Sequence, residues 1–204
     1  MKRNISSCIL LAAALVLPAA VRAAGDYRAD AIAMLKRDFQ ARGIATTDRL
    51  SEDGLQAVCN QTANQPPKTL AELLQQDQLA AVQYPADGKL IGNWREGEKI
   101  AQSGRGFTWT DQPGLAVGGN CYNCHQLSPA ELSYGTLGPT LRSFGRRRGN
   151  TAETQQYVYA KIYNAKAYKL CSAMPRFGHI GALSVAQIKD LVALILDPES
   201  PVNQ

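Results

Sequence analysis

Cys121-Tyr122-Asn123-Cys124-His125 constrains this chain more than any other segment. Two thiols separated by two residues and followed at once by a histidine form a CxxCH arrangement. One helical turn presents both sulfurs to a single edge of a ligand, and the adjacent imidazole points the same way. A haem uses all three groups: each thiol adds across one vinyl group, and the imidazole reaches the iron. Two other uses compete, a zinc-binding CxxC and a thioredoxin-like dithiol. Zinc would need two further ligands, and only Cys59, Cys171 and His179 remain to supply them, at no familiar spacing. A redox dithiol belongs with a parallel sheet, and the sequence shows no convincing alternating strand pattern. The segment therefore predicts one covalent haem c, attached to Cys121 and Cys124, with His125 as an axial ligand.

The sixth iron position has few candidates. Beyond the N-terminal leader there are two methionines, Met34 and Met174. Met174 precedes Pro175, which blocks helix continuation and puts the thioether on a loop that can fold over a haem. Met174 is the expected ligand. The alternatives are a Met174 that only fills a core gap, His179 as ligand, or an open position. A His/Met pair raises the haem potential and suits electron transfer. In Leu137-Gly138-Pro139-Thr140-Leu141, the Pro139 carbonyl is placed to accept the Nδ1 hydrogen of His125 and set its tautomer. An ordinary Gly-Pro turn is the plainer reading. Arg146, Arg147 and Arg148, with Arg142, are either a solvated face or a set that pairs with haem propionates and steers an acidic partner.

The N-terminus reads as an export signal. Lys2 and Arg3 precede an apolar run from Ile9 to Val16, and Val21-Arg22-Ala23 offers a cleavage site, giving a signal over residues 1–23. The run is too short for a membrane span, and no other segment approaches the roughly 20 apolar residues a span needs. Cys8 lies too early to be a lipid-attachment cysteine and leaves with the signal. The expectation is a soluble periplasmic protein. The whole chain carries +5, but losing Lys2, Arg3 and Arg22 leaves 19 basic residues against 17 acidic, a net of +2. That balance, with no basic stripe interleaved with aromatics, points away from nucleic acid. Of the remaining cysteines, Cys59 and Cys171 are unclaimed by the motif. In an oxidising compartment they are expected to form a disulfide, with a reactive single thiol as the alternative.

Residues 24–93 read as an N-terminal helical extension. Ile32, Leu35 and Phe39 recur at helical spacing up to Arg42-Gly43, and Leu70, Leu73, Leu74 and Leu79 follow Pro66-Pro67. Pro85 to Gly92 reads as a linker. Residues 94–204 read as a cytochrome c domain. It has a short helix over Trp94–Gln102, a loop of about 25 residues after the motif, and a helix over 151–170 with Val158, Ile162 and Tyr163 on one side. The last helix has a capping box, Ser184 with Gln187, and a staple, Leu183 with Ile188. Val185, Ile188, Leu191, Val192 and Ile195 form its buried stripe, and Pro198 ends it. So long a loop is unusual in a compact domain unless something fills the space. The expected class is all-α, a class I cytochrome c-like domain with a helical extension.

Several stretches together resemble the SoxX family, the monohaem subunits of the SoxAX thiosulfate-oxidising cytochrome complexes. These are Glu98 to Gly106, Gly118-Gly119-Asn120 leading into the motif and Gln126, Met174-Pro175-Arg176-Phe177-Gly178-His179, and the tail from Leu196 to Asn203. The likeness runs over about residues 94–203 and more weakly over Asp48 to Cys59. It implies periplasmic sulfur oxidation in complex with a SoxA-type haem subunit. That complex joins thiosulfate oxidatively to a cysteine of a SoxYZ-type carrier protein. The resemblance assigns haem attachment to Cys121 and Cys124 and iron binding to His125 and Met174. It gives no residue an acid, base or nucleophile role, so electrons would pass through this subunit to a small acceptor cytochrome c. Two rivals remain: a free electron shuttle, for which about seventy residues ahead of the haem domain are superfluous, and a self-sufficient peroxidase or thiosulfate dehydrogenase. The second needs an open iron position and polar groups above it, and only His179 and Arg176 are local candidates.

Overall fold

The computed structural model describes residues 27–204, and the expected signal segment with Cys8 lies outside them. Seven α-helices are found among these residues: α1 (Tyr27–Asp38), α2 (Gly54–Gln61), α3 (Lys68–Ala80), α4 (Trp94–Gln102), α5 (Phe144–Arg148), α6 (Ala152–Tyr163) and α7 (Val185–Leu196). The only β pairing among them is an isolated bridge between Arg42 and Ala45. The class is all-α. By its contacts the chain divides into Met1–Phe39 and Gln40–Gln204. In the first unit α1 buries no residue, and Phe39 is exposed.

In the second unit, residues 40–93 fold together with the region of the CxxCH segment. Val82 and Leu90 belong to the same buried cluster as Tyr122, Leu127 and the apolar face of α7. Tyr159 Oη donates to the Gln83 carbonyl at 3.0 Å, and Asn164 Nδ2 donates to Gln78 Oε1 at 3.0 Å. The Cys59–Cys171 disulfide, with Cα atoms 5.5 Å apart, closes a loop over a separation of 112 residues. In the chain-entropy account a loop of that size contributes about 4–5 kcal/mol, less where a covalent cofactor already restricts the chain.

α7 carries the core. Ser184 Oγ accepts from Gln187 N while Gln187 Oε1 accepts from Ser184 N, which completes the capping box. Ile188, Leu191, Val192 and Leu194 are fully buried, each worth about 1.5–3 kcal/mol of transfer free energy. Val185 departs from the expected stripe: at the first helical position it lies 41% exposed, because the capped turn starts before the helix reaches the core. At the other end, Asn203 Nδ2 donates to the Ile195 and Asp197 carbonyls, satisfying acceptors the helix leaves without partners.

α6 is shorter than expected. It stops at Tyr163, where Asn164 turns to an extended conformation, and a 3-10 turn, Ala165–Ala167, follows. Asn164 Oδ1 accepts from Lys166 N, the local side-chain bond by which Asn competes with helix. α2 has no counterpart in the expected helices. Its signal was nonetheless local: Asp53-Gly54-Leu55-Gln56 is a capping box, with Asp53 Oδ1 accepting from Gln56 N and Gln56 Oε1 from Asp53 N.

α4 crosses α7 at close range. Gly97 and Ala101 are buried on the contact face, and a Cβ added at Gly97 would stand 2.2 Å from the Asp190 carbonyl oxygen. The backbones approach because no side chain intervenes. Gly97→Ala should therefore lower stability by about 1–3 kcal/mol despite alanine's better helix propensity. A urea-denaturation midpoint that stays unchanged or rises would refute this crossing.

Candidate functional site

The CxxCH segment forms one tight turn. Asn120 takes a left-handed conformation, and a 3-10 helix spans Cys121–Asn123. The Cys121 carbonyl accepts from Cys124 N at 3.1 Å and His125 N at 2.9 Å. The approach to the turn is pinned to the end of α4, because Gly119 N donates to the Ile100 carbonyl and Asn120 N to that of Ser103. Tyr122 is buried, and its hydroxyl donates to Glu98 Oε1 on α4 at 2.9 Å. Burial and that carboxylate push the Tyr122 phenol well above its ordinary value, so it acts as a donor.

The long loop after the motif folds back along it. Gly135 N, Gly138 N and Leu141 N donate to the carbonyls of Tyr122, Cys124 and Gln126, each at 2.8 Å. These bonds bring Pro139 to the imidazole, where His125 Nδ1 lies 2.8 Å from the Pro139 carbonyl oxygen. A carbonyl only accepts, so Nδ1 carries the hydrogen and Nε2 keeps its lone pair. The chain passes flat against the ring: a Cβ on Gly138 would stand 2.1 Å from His125 Cε1. Leu137, next to it, is 88% exposed.

Cys121 and Cys124 are free thiols, while Cys59 and Cys171 are bonded to each other. That bond removes both from the candidate zinc ligands. Among the described residues no three His, Cys, Asp or Glu side chains gather to hold a metal ion. Cys121 packs against the main core cluster, and burial pushes its thiol up to about 12, so it is a thiol at neutral pH. Met174 and Phe177 pack against the same cluster. A polar cleft of about 460 Å³ opens nearby, lined by Gln102, Asn120, Tyr122, Asn123, Glu131 and Tyr134 among others. Tyr122 and Asn123 of the motif line it, while neither thiol nor His125 does.

The Met174 segment contains polar groups that are already engaged. Arg176 pairs with Asp53 at the start of α2. Burial raises the Asp53 pKa, but the Gln56 N–H and the Arg176 guanidinium outweigh it and hold the carboxyl below its ordinary value. His179 lies at the surface, its pKa drawn down first by partial burial and then by Arg176. Arg146, Arg147 and Arg148 form the last turn of α5, exposed, with no carboxylate paired to them among the described residues. The Asp53–Arg176 and Tyr122–Glu98 pairs escaped the sequence reading. Nothing local marks either, since their members stand 123 and 24 residues apart.

No protein-family model matches the sequence. An "Uncharacterized lipoprotein" of Aquifex aeolicus (strain VF5) is 34% identical to it over 157 residues, 76% of this chain and 74% of that protein. The chain belongs to the family of that Aquifex lipoprotein. The relative's name assigns the family no activity. Among solved structures, a chain of SoxXA from P. pantotrophus matches with a TM-score of 0.40 and 25% identity, over 58% of this chain and 95% of that one. A TM-score that low does not establish a common fold, and the all-α class rests on the helices described above.

The geometry predicts one imidazole tautomer. In the cofactor-free polypeptide, nitrogen NMR should find His125 protonated at Nδ1 and bare at Nε2. Gly138→Ala should abolish that preference by displacing the ring. An Nε2–H tautomer in the unaltered protein would refute the Pro139 contact.

Proposed function

We propose that this chain is an exported monohaem c-type cytochrome and the electron-accepting subunit of a SoxAX-type complex in sulfur oxidation. The observation that carries the reading is the turn in which two free thiols precede an imidazole whose Nδ1 is hydrogen-bonded to the Pro139 carbonyl. That donor set fits a haem: two thioether positions one turn apart, and a ring nitrogen left free for iron. A haem bound there would supply a one-electron redox couple.

The chain's own residues do the rest. Cys121 and Cys124 would hold the group covalently, and His125 would bind iron through Nε2. Pro139 keeps the imidazole oriented and strengthens it as a donor. Met174 would be the second iron ligand, on a loop where it packs against the same core as Cys121. Leu137, an apolar side chain left in water beside the imidazole, is what a large apolar ring or a partner surface would cover. The nearest polar candidate for chemistry, Arg176, is tied to Asp53, which favours electron transfer over stand-alone catalysis.

The partners follow from the SoxX-like motifs. They are a SoxA-type haem subunit that holds the bond-forming site, a SoxYZ-type carrier reached through the complex, and a small acceptor cytochrome c. The exposed arginines of α5 suit an acidic partner surface. No helix among the described residues is long and apolar enough to cross a membrane. The Aquifex relative is called a lipoprotein. Here Cys8 stands before the apolar run rather than after it, so we read a periplasmic protein released by cleavage after Ala23.

Two measurements test the reading. The purified protein should carry one covalent haem with a weak near-infrared sulfur-to-iron band. Met174→Ala should abolish that band and open the iron to cyanide; a band that survives excludes Met174 as ligand. Alone, with thiosulfate and an electron acceptor, the protein should show negligible turnover, restored by a SoxA-type subunit and its carrier. Robust turnover by the lone chain would overturn the subunit role.

A further inference from the structure

α2 holds the Met174 segment at two points, one on each side of the methionine. Cys59, buried within α2, is bonded to Cys171, three residues before Met174. Asp53, the N-cap of α2, pairs with Arg176, two residues after it. This is not a loose surface pair. The Arg176 side chain is only 10% exposed, and Asp53 is fixed by its capping bond, so Oδ1 faces Gln56 N while Oδ2 meets the guanidinium. Such a pair loses less to solvent screening than an exposed one. Further along, Gly178 N and His179 N both donate to the Tyr163 carbonyl at 3.1 Å. Between the two attachments, Met174 N donates only to Ser172 Oγ, at 3.2 Å and within the same segment. The methionine thus sits on a short bridge whose two ends are anchored to one helix.

We propose that α2 is a clamp on the Met174 loop, with Asp53 and Arg176 as positioning residues and the Cys59–Cys171 disulfide as a second, redox-sensitive hold. With both holds intact the loop would keep the thioether placed to bind iron. Cleaving the disulfide to two thiols, at the expense of an external dithiol or phosphine that is oxidised in turn, leaves the ion pair alone to hold the loop. External ligands then gain access. This rests on Met174 being the axial ligand.

The test uses the holoprotein and reads the iron, not activity. Asp53→Asn keeps an N-cap side chain while deleting the charge, and Arg176→Gln deletes its partner. Each should weaken the near-infrared band and raise ferric cyanide affinity about tenfold, the equivalent of one lost partly buried pair. In wild-type protein, cleaving the disulfide with a phosphine and alkylating the thiols should accelerate CO binding to ferrous iron by a similar factor. That arm remains informative if a variant fails to fold. Tyr159→Phe, which loses only the bond to Gln83, is the control for general destabilisation and should leave cyanide affinity unchanged. If the clamp variants and the cleaved protein bind ligands like wild type, or no better than Tyr159→Phe, the clamp is refuted while Met174 ligation stands. If the band persists in Met174→Ala, the ligand assignment fails and the clamp fails with it.

Discussion

The structure depends on holding one turn rigid from both sides. The Cys121–His125 turn is short and carries little of its own stability: a 3-10 segment has few bonds and poor geometry. It is fixed because main-chain bonds from Gly119 and Asn120 tie its start to α4, and bonds from Gly135, Gly138 and Leu141 lay the following loop along its far side. The loop thus satisfies its own backbone through the motif, which answers how so many residues can lack regular structure. Gly138 is what allows the last approach, because any side chain there would occupy the space of the imidazole.

That turn is braced by a core built on two helices far apart in the chain. α4 and its C-cap Ser103 supply the Ile100 and Ser103 carbonyls and the Glu98 carboxylate that hold the motif, and α4 is itself held against α7 through the bare backbone at Gly97. α7 in turn is terminated by Asn203, whose amide donates to the Ile195 and Asp197 carbonyls at the end of the helix. The short tail after Pro198 is thus a structural stop for the helix against which α4 packs.

Residues ahead of α4 are more than an appendage. From Gln40 onward they share the compact unit of the motif, with Val82 and Leu90 in its core and Asn164 reaching to Gln78. α2 touches the Met174 segment through a disulfide and an ion pair. A region that looked separable along the sequence is therefore bonded to the segment on both sides of Met174.

Local patterns were legible because their physics is local. CxxCH spacing, the Ser184–Gln187 box, the short helix at Trp94–Gln102 and the apolar face of α7 all depend on residues within a turn or two of each other. The all-α class follows from those periodicities. Where the reading strayed, a neighbour distant in sequence or an overlooked cap was at work. α6 stops at Tyr163, before Asn164, whose amide is also satisfied by Gln78, and Val185 faces solvent because the cap, rather than the core, sets the first turn. The sequence by itself determined which groups the site could offer, since thiols, imidazole, thioether and a Gly-Pro carbonyl are properties of residue type and spacing. Only the tertiary structure decided which carbonyl meets Nδ1, which helix holds Tyr122 and which carboxylate meets Arg176. Those contacts join residues 14 to 123 positions apart, and no periodicity encodes a pairing that arises when separate helices pack on a common core.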